Sequence, residues 1–353
     1  MCYYAELPWQ ASNDGLCCGG GQGSAVKRGR LFTAIIACAL AALHCGAPAF
    51  AADRATPFGA AKTQVVLLGT GNPQPDPDRS GPATAVVVNG SAYLVDFGPG
   101  VVRRANAAAL DKGVQALVPT NIKIAFVTHL HSDHTAGYPD LILTPWVMGR
   151  QAPLEVYGPP GIKAMTEHIL AAYQEDIKIR TEGMEHASPH GWKVNAHEVV
   201  AGVVYKDGNV TVTAFPTKHG DWKESFGYRF DTPDRSVVIT GDTTPTQATI
   251  DACHGCDVLV HEALTLKFLA NNRRPNPQGI DFHAYAAKYH TTTAQLAELA
   301  NKAKPGLLIL VHNPITLRPN KRPGASTPED LLQEMQEAGY RGKVVVGRDL
   351  DVY

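Results

Sequence analysis

Thr128-His129-Leu130-His131-Ser132-Asp133-His134 follows directly on the apolar run Ile122 to Val127, and its reading decides how the rest of the chain is understood. Three imidazoles and a carboxylate fall within six positions. Alternate residues of an extended strand end point the same way, so His129 and His131 can share one cation. Asp133 and His134, in the turn that follows, can then reach a second. Single histidines in globular proteins are usually satisfied by hydrogen bonds alone, but four potential ligands at this spacing point to a metal.

A site of this kind needs further ligands from other strand ends, and the sequence supplies them in order. Val210 to Phe215 reads as a strand leading through Pro216-Thr217-Lys218 to His219. Ser236 to Thr240 ends at Gly241-Asp242-Thr243, and Leu307 to Val311 ends at His312-Asn313-Pro314. Each candidate sits where an apolar strand stops, which is how sheet proteins gather functional groups at one edge.

With these residues in view, the chain from about Gln64 to its C-terminus resembles the metallo-β-lactamase fold superfamily. Within it, the likeness is to the branch of ribonuclease Z and the related arylsulfatase-type and phosphodiesterase-type hydrolases. Leu68-Gly69-Thr70-Gly71 is similar to that branch's opening strand and turn, and Leu94-Val95-Asp96-Phe97-Gly98-Pro99-Gly100 to its aspartate-glycine loop. Val260-His261-Glu262-Ala263 and His290-Thr291-Thr292-Thr293-Ala294 resemble its two later motifs. The resemblance implies two Zn2+ ions, with Mn2+ or Fe2+ as alternatives. His129, His131 and His219 would hold one, Asp133, His134 and His312 the other, and Asp242 would bridge both. It also implies that Asp133 accepts a proton from a metal-activated water, and that Glu262 and His290 pair to protonate the leaving group. For His290 a helix-capping role is the alternative, although Thr291 and Thr292 can cap the helix instead.

The chain departs from that branch in two places. Extra residues, including Asn271-Asn272-Arg273-Arg274-Pro275-Asn276-Pro277, lie between Glu262 and His290, so a longer loop is expected over the site. The long glycine- and proline-rich arm of many ribonuclease Z proteins is not recognisable between His134 and His219. That segment holds Leu154 to Gly161, a helical stretch to about Tyr173, and a polar passage with His186, His190 and His197, expected as a loop over the site. Asp242 at the bridging position disfavours β-lactamase activity.

The remaining pattern alternates short strands with helices: strands at Gln64–Leu68, Thr84–Val88, Ala92–Val95, Ile122–Val127, Leu154–Tyr157, near Val210, Phe226, Val237 and Val258, then Leu307–Val311 and Lys343–Val346. Helices are predicted at Val101–Leu110, Ile162–Tyr173, Thr292–Ala303 and Pro328–Ala338, the last capped by Thr327. Strands outnumber crossover helices, so two mixed sheets packed face to face with helices outside fit better than a doubly wound sheet. This α+β arrangement is the four-layer αββα sandwich that the resemblance implies.

Residues 1–51 stand apart. Lys27-Arg28-Gly29-Arg30 is a basic start, Leu31 to Leu43 an apolar core too short for a ~20-residue membrane helix, and Ala49-Phe50-Ala51 a small-x-small cleavage site. They read as an upstream extension and a secretory signal removed after about Ala51, with 52–62 as linker and 63–353 as the hydrolase domain. Export to a periplasm or the outside follows, with no stable membrane anchor after cleavage. Of seven Cys, Cys253 and Cys256 lie beyond Ala51. Their Cys-x-x-Cys spacing fits a local disulfide in an oxidising compartment, with unpaired thiols as the alternative.

The 353 residues carry 32 basic and 33 acidic groups, which offers no global field for a polyanion such as RNA. The expected function is therefore an exported dinuclear-zinc hydrolase of a small phosphodiester, sulfate ester or related ester. The alternatives are a ribonuclease Z-like 3′ tRNA-processing endoribonuclease or other nuclease, and a non-catalytic metal- or substrate-binding protein. A small-molecule ester is the expected partner, nucleic acid a less favoured one, and assembly as a homodimer is left open. Lys218, Arg318, Trp146 and His283 are weaker candidates for substrate contact, His168 is expected on a helix surface, and His254 and His261 are read as structural.

Overall fold

The structure, a computed structural model, describes residues 63–272, 279 and 281–353. The leader expected over 1–51 and the linker over 52–62 lie outside the described residues. In chain order the strands are β1 Thr63–Gly69, β2 Ala83–Val88, β3 Ser91–Val95, β4 Ile124–Phe126, β5 Leu154–Gly158, β6 Val194–Glu198, β7 Gly202–Lys206, β8 Thr211–Pro216, β9 Phe226–Asp231, β10 Ser236–Ile239, β11 Val258–Glu262, β12 Leu307–Val311 and β13 Val344–Val346. The helices are α1 Val101–Asp111, α2 Ser132–Thr135, α3 Tyr138–Val147, α4 Ile162–Ala172, α5 Gln174–Glu182, α6 Gln247–Cys253, α7 Leu266–Asn271, α8 Phe282–Tyr289, α9 Thr293–Ala303 and α10 Pro328–Glu337.

Two mixed sheets result, ordered β1-β2-β3-β4-β5-β6 and β13-β12-β11-β10-β9-β8-β7. Each is an antiparallel meander on one side and parallel on the other. The side-chain period of two sorts every strand between two layers. Val65 and Leu67 of β1 enter the core between the sheets with Phe126, Tyr228, Val260 and Ile309, whereas Val66 and Leu68 face outward beneath α1 and α3. On the other outer face Val238, Leu259, Leu308 and Leu310 pack under α6, α9 and α10. The order helix, sheet, sheet, helix is the expected sandwich. Full burial of such aliphatic side chains contributes roughly 1.5–3 kcal/mol each. The chain end closes the first sheet, since β1 exchanges backbone hydrogen bonds with Asp351 and Tyr353.

Several boundaries differ from the sequence-based ones for physical reasons. The strand expected over Ile122–Val127 shortens to Ile124–Phe126, because a tight 3-10 turn at Pro119–Asn121 occupies its approach. His129 and His131 therefore lie just past the strand, and Asp133 and His134 lie in α2 rather than a simple turn. Helix α3 was not predicted; it carries Pro139 and Pro145 yet buries Leu141, Ile142 and Trp146. Trp146 is a core residue whose indole donates to the Ser188 carbonyl, so it is no substrate contact. The passage with His186, His190 and His197 does not overhang the site. It packs against the end of α3, where buried Arg150 donates to the carbonyls of Leu141, Ile142 and Gly191, and His197 pairs with Glu155 on an edge strand. Cys253 and Cys256 form a buried disulfide at the end of α6. Among the described residues no helix is long and apolar enough to cross a membrane.

Candidate metal centre

The chain crosses one edge of the sandwich repeatedly, and chemistry-bearing side chains sit at each crossing. β4 delivers His129 to His134, β8 delivers His219, β10 delivers Asp242, β11 ends at Glu262, and β12 delivers His312. Most lie beyond the carboxyl ends of parallel strands, the usual place for ligands in such sheets. All seven candidate ligands meet there. His129, His131 and His219 form one group, Asp133, His134 and His312 another, and Asp242 joins His129 and His134 between them; the atoms in each group lie within 4.8 Å.

The spacing fits cations. A tetrahedral ion with ligand bonds of ~2.0–2.2 Å sets its ligand atoms roughly 3.3–3.6 Å apart. Here His131 Nδ1 is 3.0 Å from His129 Nε2 and 3.1 Å from His219 Nε2. His312 Nε2 is 3.1 Å from Asp133 Oδ2 and 3.4 Å from Asp242 Oδ2, and His134 Nε2 is 3.4 Å from Asp242 Oδ1. His134 Nε2 and Asp242 Oδ1 are buried without a hydrogen bond. Unpaired buried polar atoms are destabilising by about 1–3 kcal/mol each, which a bound ion would offset.

Surrounding groups hold the rings by their other nitrogen, as orienting partners do at metal sites. Asp96 accepts from His134 Nδ1 at 2.8 Å, the Tyr289 carbonyl accepts from His219 Nδ1 at 2.7 Å, and Thr128 Oγ1 lies 3.0 Å from His129 Nδ1. Asp96 also accepts the Thr128 backbone N–H, so one carboxylate fixes both ends of the ligand loop. It does so from a left-handed backbone, φ 62°, and His312 shares that unusual conformation at φ 56°. Such strain in non-glycine residues collects at functional sites. Gly241, beside Asp242, has φ +62° and no room for a side chain, since a Cβ would lie 2.6 Å from Thr128.

Electrostatics favour ligand-ready forms at His129, His219, Asp133 and Asp242, whereas at His134 burial is outweighed by Asp242 and Asp96, which raise its pKa well above the ordinary value and hold a proton that a bound ion would displace. Burial pushes His129 well below its ordinary pKa and His219 down to about 4, so both keep a lone pair. Burial would raise Asp242, but His312 and His134 outweigh it and hold the carboxylate well below its usual range. The balance is similar at Asp133, where burial opposes ionisation and His312 and His134 restore it.

Glu262 and His290 are buried side by side at the same edge. His290 Nδ1 donates to both Glu262 oxygens at 2.9 and 2.8 Å, and Glu262 Oε1 also accepts the Thr243 N–H at 2.8 Å. Burial disfavours charged His290, but the charge and hydrogen bonds of Glu262, with Asp242 behind, raise its pKa to about 9. Thr292, not His290, caps α9 through a capping box with Gln295. His290 Nε2 is left facing a cavity of about 310 Å3 that also exposes His131, Asp133, Asp242 and His312.

Among the weaker candidates, exposed Arg318 pairs with Asp78. Neither Lys218 nor His283 lines this cavity; Phe282 and Tyr285, on either side of His283 on α8, do. His254 terminates α6, and buried His261 bonds the Glu262 carbonyl, as structural residues. Trp222 was overlooked in the sequence. Its indole N–H donates to His131 Nε2 at 2.9 Å. An indole is donor only, so this bond uses the lone pair at Nε2 and leaves the ring proton on Nδ1, the atom aimed at His129 and His219. Were Nδ1 to hold a cation, the ring proton would sit on Nε2 and the Trp222 bond would be lost. Trp222→Phe should therefore tighten metal binding by roughly 10-fold, the equivalent of one modest hydrogen bond, as read by competition with a chelator of known affinity. Weaker binding would show instead that the indole holds His131 in its ligand pose.

Comparison with known proteins adds the following. The family described as Beta-lactamase superfamily domain matches residues 92–313. A protein named ribonuclease Z from Mycobacterium bovis (strain BCG / Pasteur 1173P2) is 32% identical over 291 residues, spanning 81% of this chain and 96% of the relative. Ribonuclease Z from Mycobacterium sp. (strain KMS) is 39% identical over 256 residues, spanning 70% and 83%. In structure, a metallo-beta-lactamase fold protein from Bacillus subtilis aligns with TM-score 0.58 at 17% identity, covering 82% of this chain and 99% of its own. The short form of human tRNase Z aligns with TM-score 0.57 at 22% identity, covering 82% and 98%. At these identities the structural likeness speaks to the fold.

Proposed function

The chain belongs to the beta-lactamase superfamily and is a metal-dependent hydrolase acting on ester bonds, and from that premise we propose that it is a two-metal phosphodiesterase of the ribonuclease Z kind. The observation that carries this reading is the buried Glu262–His290 pair, at 2.8 Å, opening on the same cavity as both ligand groups. Relatives named ribonuclease Z, matched over nearly their whole length, move the weight from the expected small-ester hydrolase toward the nuclease alternative.

Two divalent cations, Zn2+ in our reading, held by His129, His131 and His219 and by Asp133, His134 and His312 with Asp242 between, would supply Lewis acidity and lower the pKa of water from 15.7 to about 7. Asp133, half-buried and open to the cavity, is placed to accept the proton of the attacking water. Glu262 fixes the His290 ring and keeps its proton on hand. His290 Nε2 then donates to the departing oxygen, so attack and departure are served by different residues of one cavity.

A second reading, cleavage of a small aryl or alkyl diester or sulfate ester, is favoured by the cavity itself, which is lined by Leu264, Phe268, Phe282 and Tyr285 and by no Lys or Arg among the described residues. Turnover by the metal-loaded protein on a precursor tRNA with a 3′ trailer, an aryl phosphodiester, an aryl sulfate, a lactone and a β-lactam separates the two. Cleavage at the tRNA 3′ end at rates above those for the aryl diester supports the nuclease. Turnover of sulfates or lactones with neither phosphodiester cut would remove the phosphodiesterase reading. We further propose export with cleavage after about Ala51, to be checked by N-terminal sequencing of protein from its native host. Residues 31–43 still present on cytoplasmic protein would reverse that assignment.

A further inference from the structure

Between Glu262 and His290 the chain leaves the sheet, and α7 and α8 set three rings along one wall of the cavity. Phe268 meets Phe282 edge-on at 5.8 Å, Phe282 meets Tyr285 at 6.2 Å, and Tyr285 lies 5.2 Å from His290, measured between ring centres. Pro73, Leu264 and Pro314 complete the apolar lining. No Lys or Arg among the described residues lines the cavity, so a group seated against these rings meets no cationic side chain of the described residues. The anionic centre of a substrate belongs instead where His131, Asp133, Asp242 and His312 line the cavity. At about 310 Å3 the space stands at the small end of the ~300–1,000 Å3 range of ligand pockets. It suits one planar ring system.

The geometry also fixes which side of the substrate this is. His290 Nε2 lies 3.2 Å from the Tyr285 hydroxyl, with its Nδ1 engaged by Glu262. The Tyr285 hydroxyl thus holds the place at Nε2 that a departing oxygen must take, and from the Tyr285 ring the wall continues to Phe282 at 6.2 Å and on to Phe268 at 5.8 Å. We infer that Phe268, Phe282 and Tyr285 form a leaving-group subsite selective for a planar aromatic group, a nucleobase or an aryl ring. This rests on the phosphodiesterase reading for its orientation, while the affinity for aromatic groups stands on the wall alone. Aromatic faces accept any flat π-system, so the selectivity is for ring over alkyl rather than for one base.

The test uses the metal-loaded full chain, with metal content as the folding control, and compares wild type with Phe268→Ala and Phe282→Ala. Methyl p-nitrophenyl phosphate and bis(p-nitrophenyl) phosphate share a leaving group and differ in the group retained. Their KM values should agree within about threefold in the wild type and both rise roughly 10-fold in Phe282→Ala, the scale of one lost stacking contact. A KM far higher for the methyl diester and unmoved by Phe282→Ala would place the retained group in the pocket and overturn the assignment. Independently of turnover, calorimetry compares phenylphosphonate with methylphosphonate and adenosine 5′-monophosphate with ribose 5-phosphate. The aromatic member of at least one pair should bind about 10-fold more tightly, with the advantage lost in Phe282→Ala. Preference in the phosphonate pair identifies an aryl group, and preference in the nucleotide pair a nucleobase. Equal affinities within both pairs overturn the subsite even if diesters are cut. Aromatic preference without diester hydrolysis overturns the phosphodiesterase reading and the orientation, and upholds the aromatic site.

Discussion

Asp242→Ala should leave a folded protein that retains at most one of two metal ions and has lost activity by at least roughly 10³-fold, the upper end of what a single electrostatic stabiliser contributes. The expectation follows from position. Asp242 Oδ1 faces His134 Nε2 at 3.4 Å, and Oδ2 faces His312 Nε2 at 3.4 Å and His219 Nε2 at 3.9 Å, so one carboxylate serves both ligand groups. It is also the buried negative charge at the centre of four ligand imidazoles. Removing it leaves two cations to repel one another in a site with less charge to balance them. Elemental analysis of the purified variant measures the outcome directly, and Asp242→Asn, similar in shape but neutral, separates charge from space. Two ions bound as tightly as in the wild type would dispose of the bridging role.

The ligand set was legible because its densest part is local. His129 to His134 fit within one loop, and the other candidates follow strands apolar enough to be read singly. What orients those ligands was not legible, because it arrives from elsewhere in the chain. Asp96 reaches Thr128 across 32 positions and His134 across 38, and Trp222 reaches His131 across 91. No spacing rule links such residues before the fold exists. Tyr285 was hidden differently, in a helix between two matched motifs and close to His283, whose imidazole carries the more obvious chemistry. The missed strands β6 and β7 are each an edge strand of their sheet and bury no residue fully, so they carry no apolar run to read. Helix α5 buries Ile177 alone and shows no apolar stripe. Helix α3 failed for the opposite reason, being apolar around much of its circumference and interrupted by prolines, which sequence reasoning takes as breakers. The passage around His186 and His190 was misplaced because its polar composition fits a loop over a site as well as one over a helix end.

His290→Ala should keep both metals bound while lowering kcat by roughly 10²- to 10⁴-fold for substrates with poor leaving groups, the usual contribution of a positioned general acid. The seven candidate ligands form their three groups without it, and although His290 also falls in groups with His219 and Asp242 and with Glu262 and His312, its Nδ1 is tied to Glu262 and its Nε2 opens on the cavity. Nitrophenyl esters should suffer far less, because a stable departing phenolate needs little protonation. Leaving-group dependence is the discriminating readout, since a merely structural histidine would slow both substrate types alike. The substitution has one side effect to control. It strands Glu262, wholly buried, with the Thr243 N–H as its remaining partner, and breaking a buried pair this way is destabilising by about 3–5 kcal/mol. Glu262→Gln/His290→Ala removes that stranded charge together with the acid. If the proton donor is what matters, the double variant regains stability, keeps its metals and shows the same slope of rate against leaving-group pKa as His290→Ala. If the double variant instead recovers the rate on poor leaving groups, the loss in His290→Ala came from the unpaired carboxylate, and the proton must come from elsewhere.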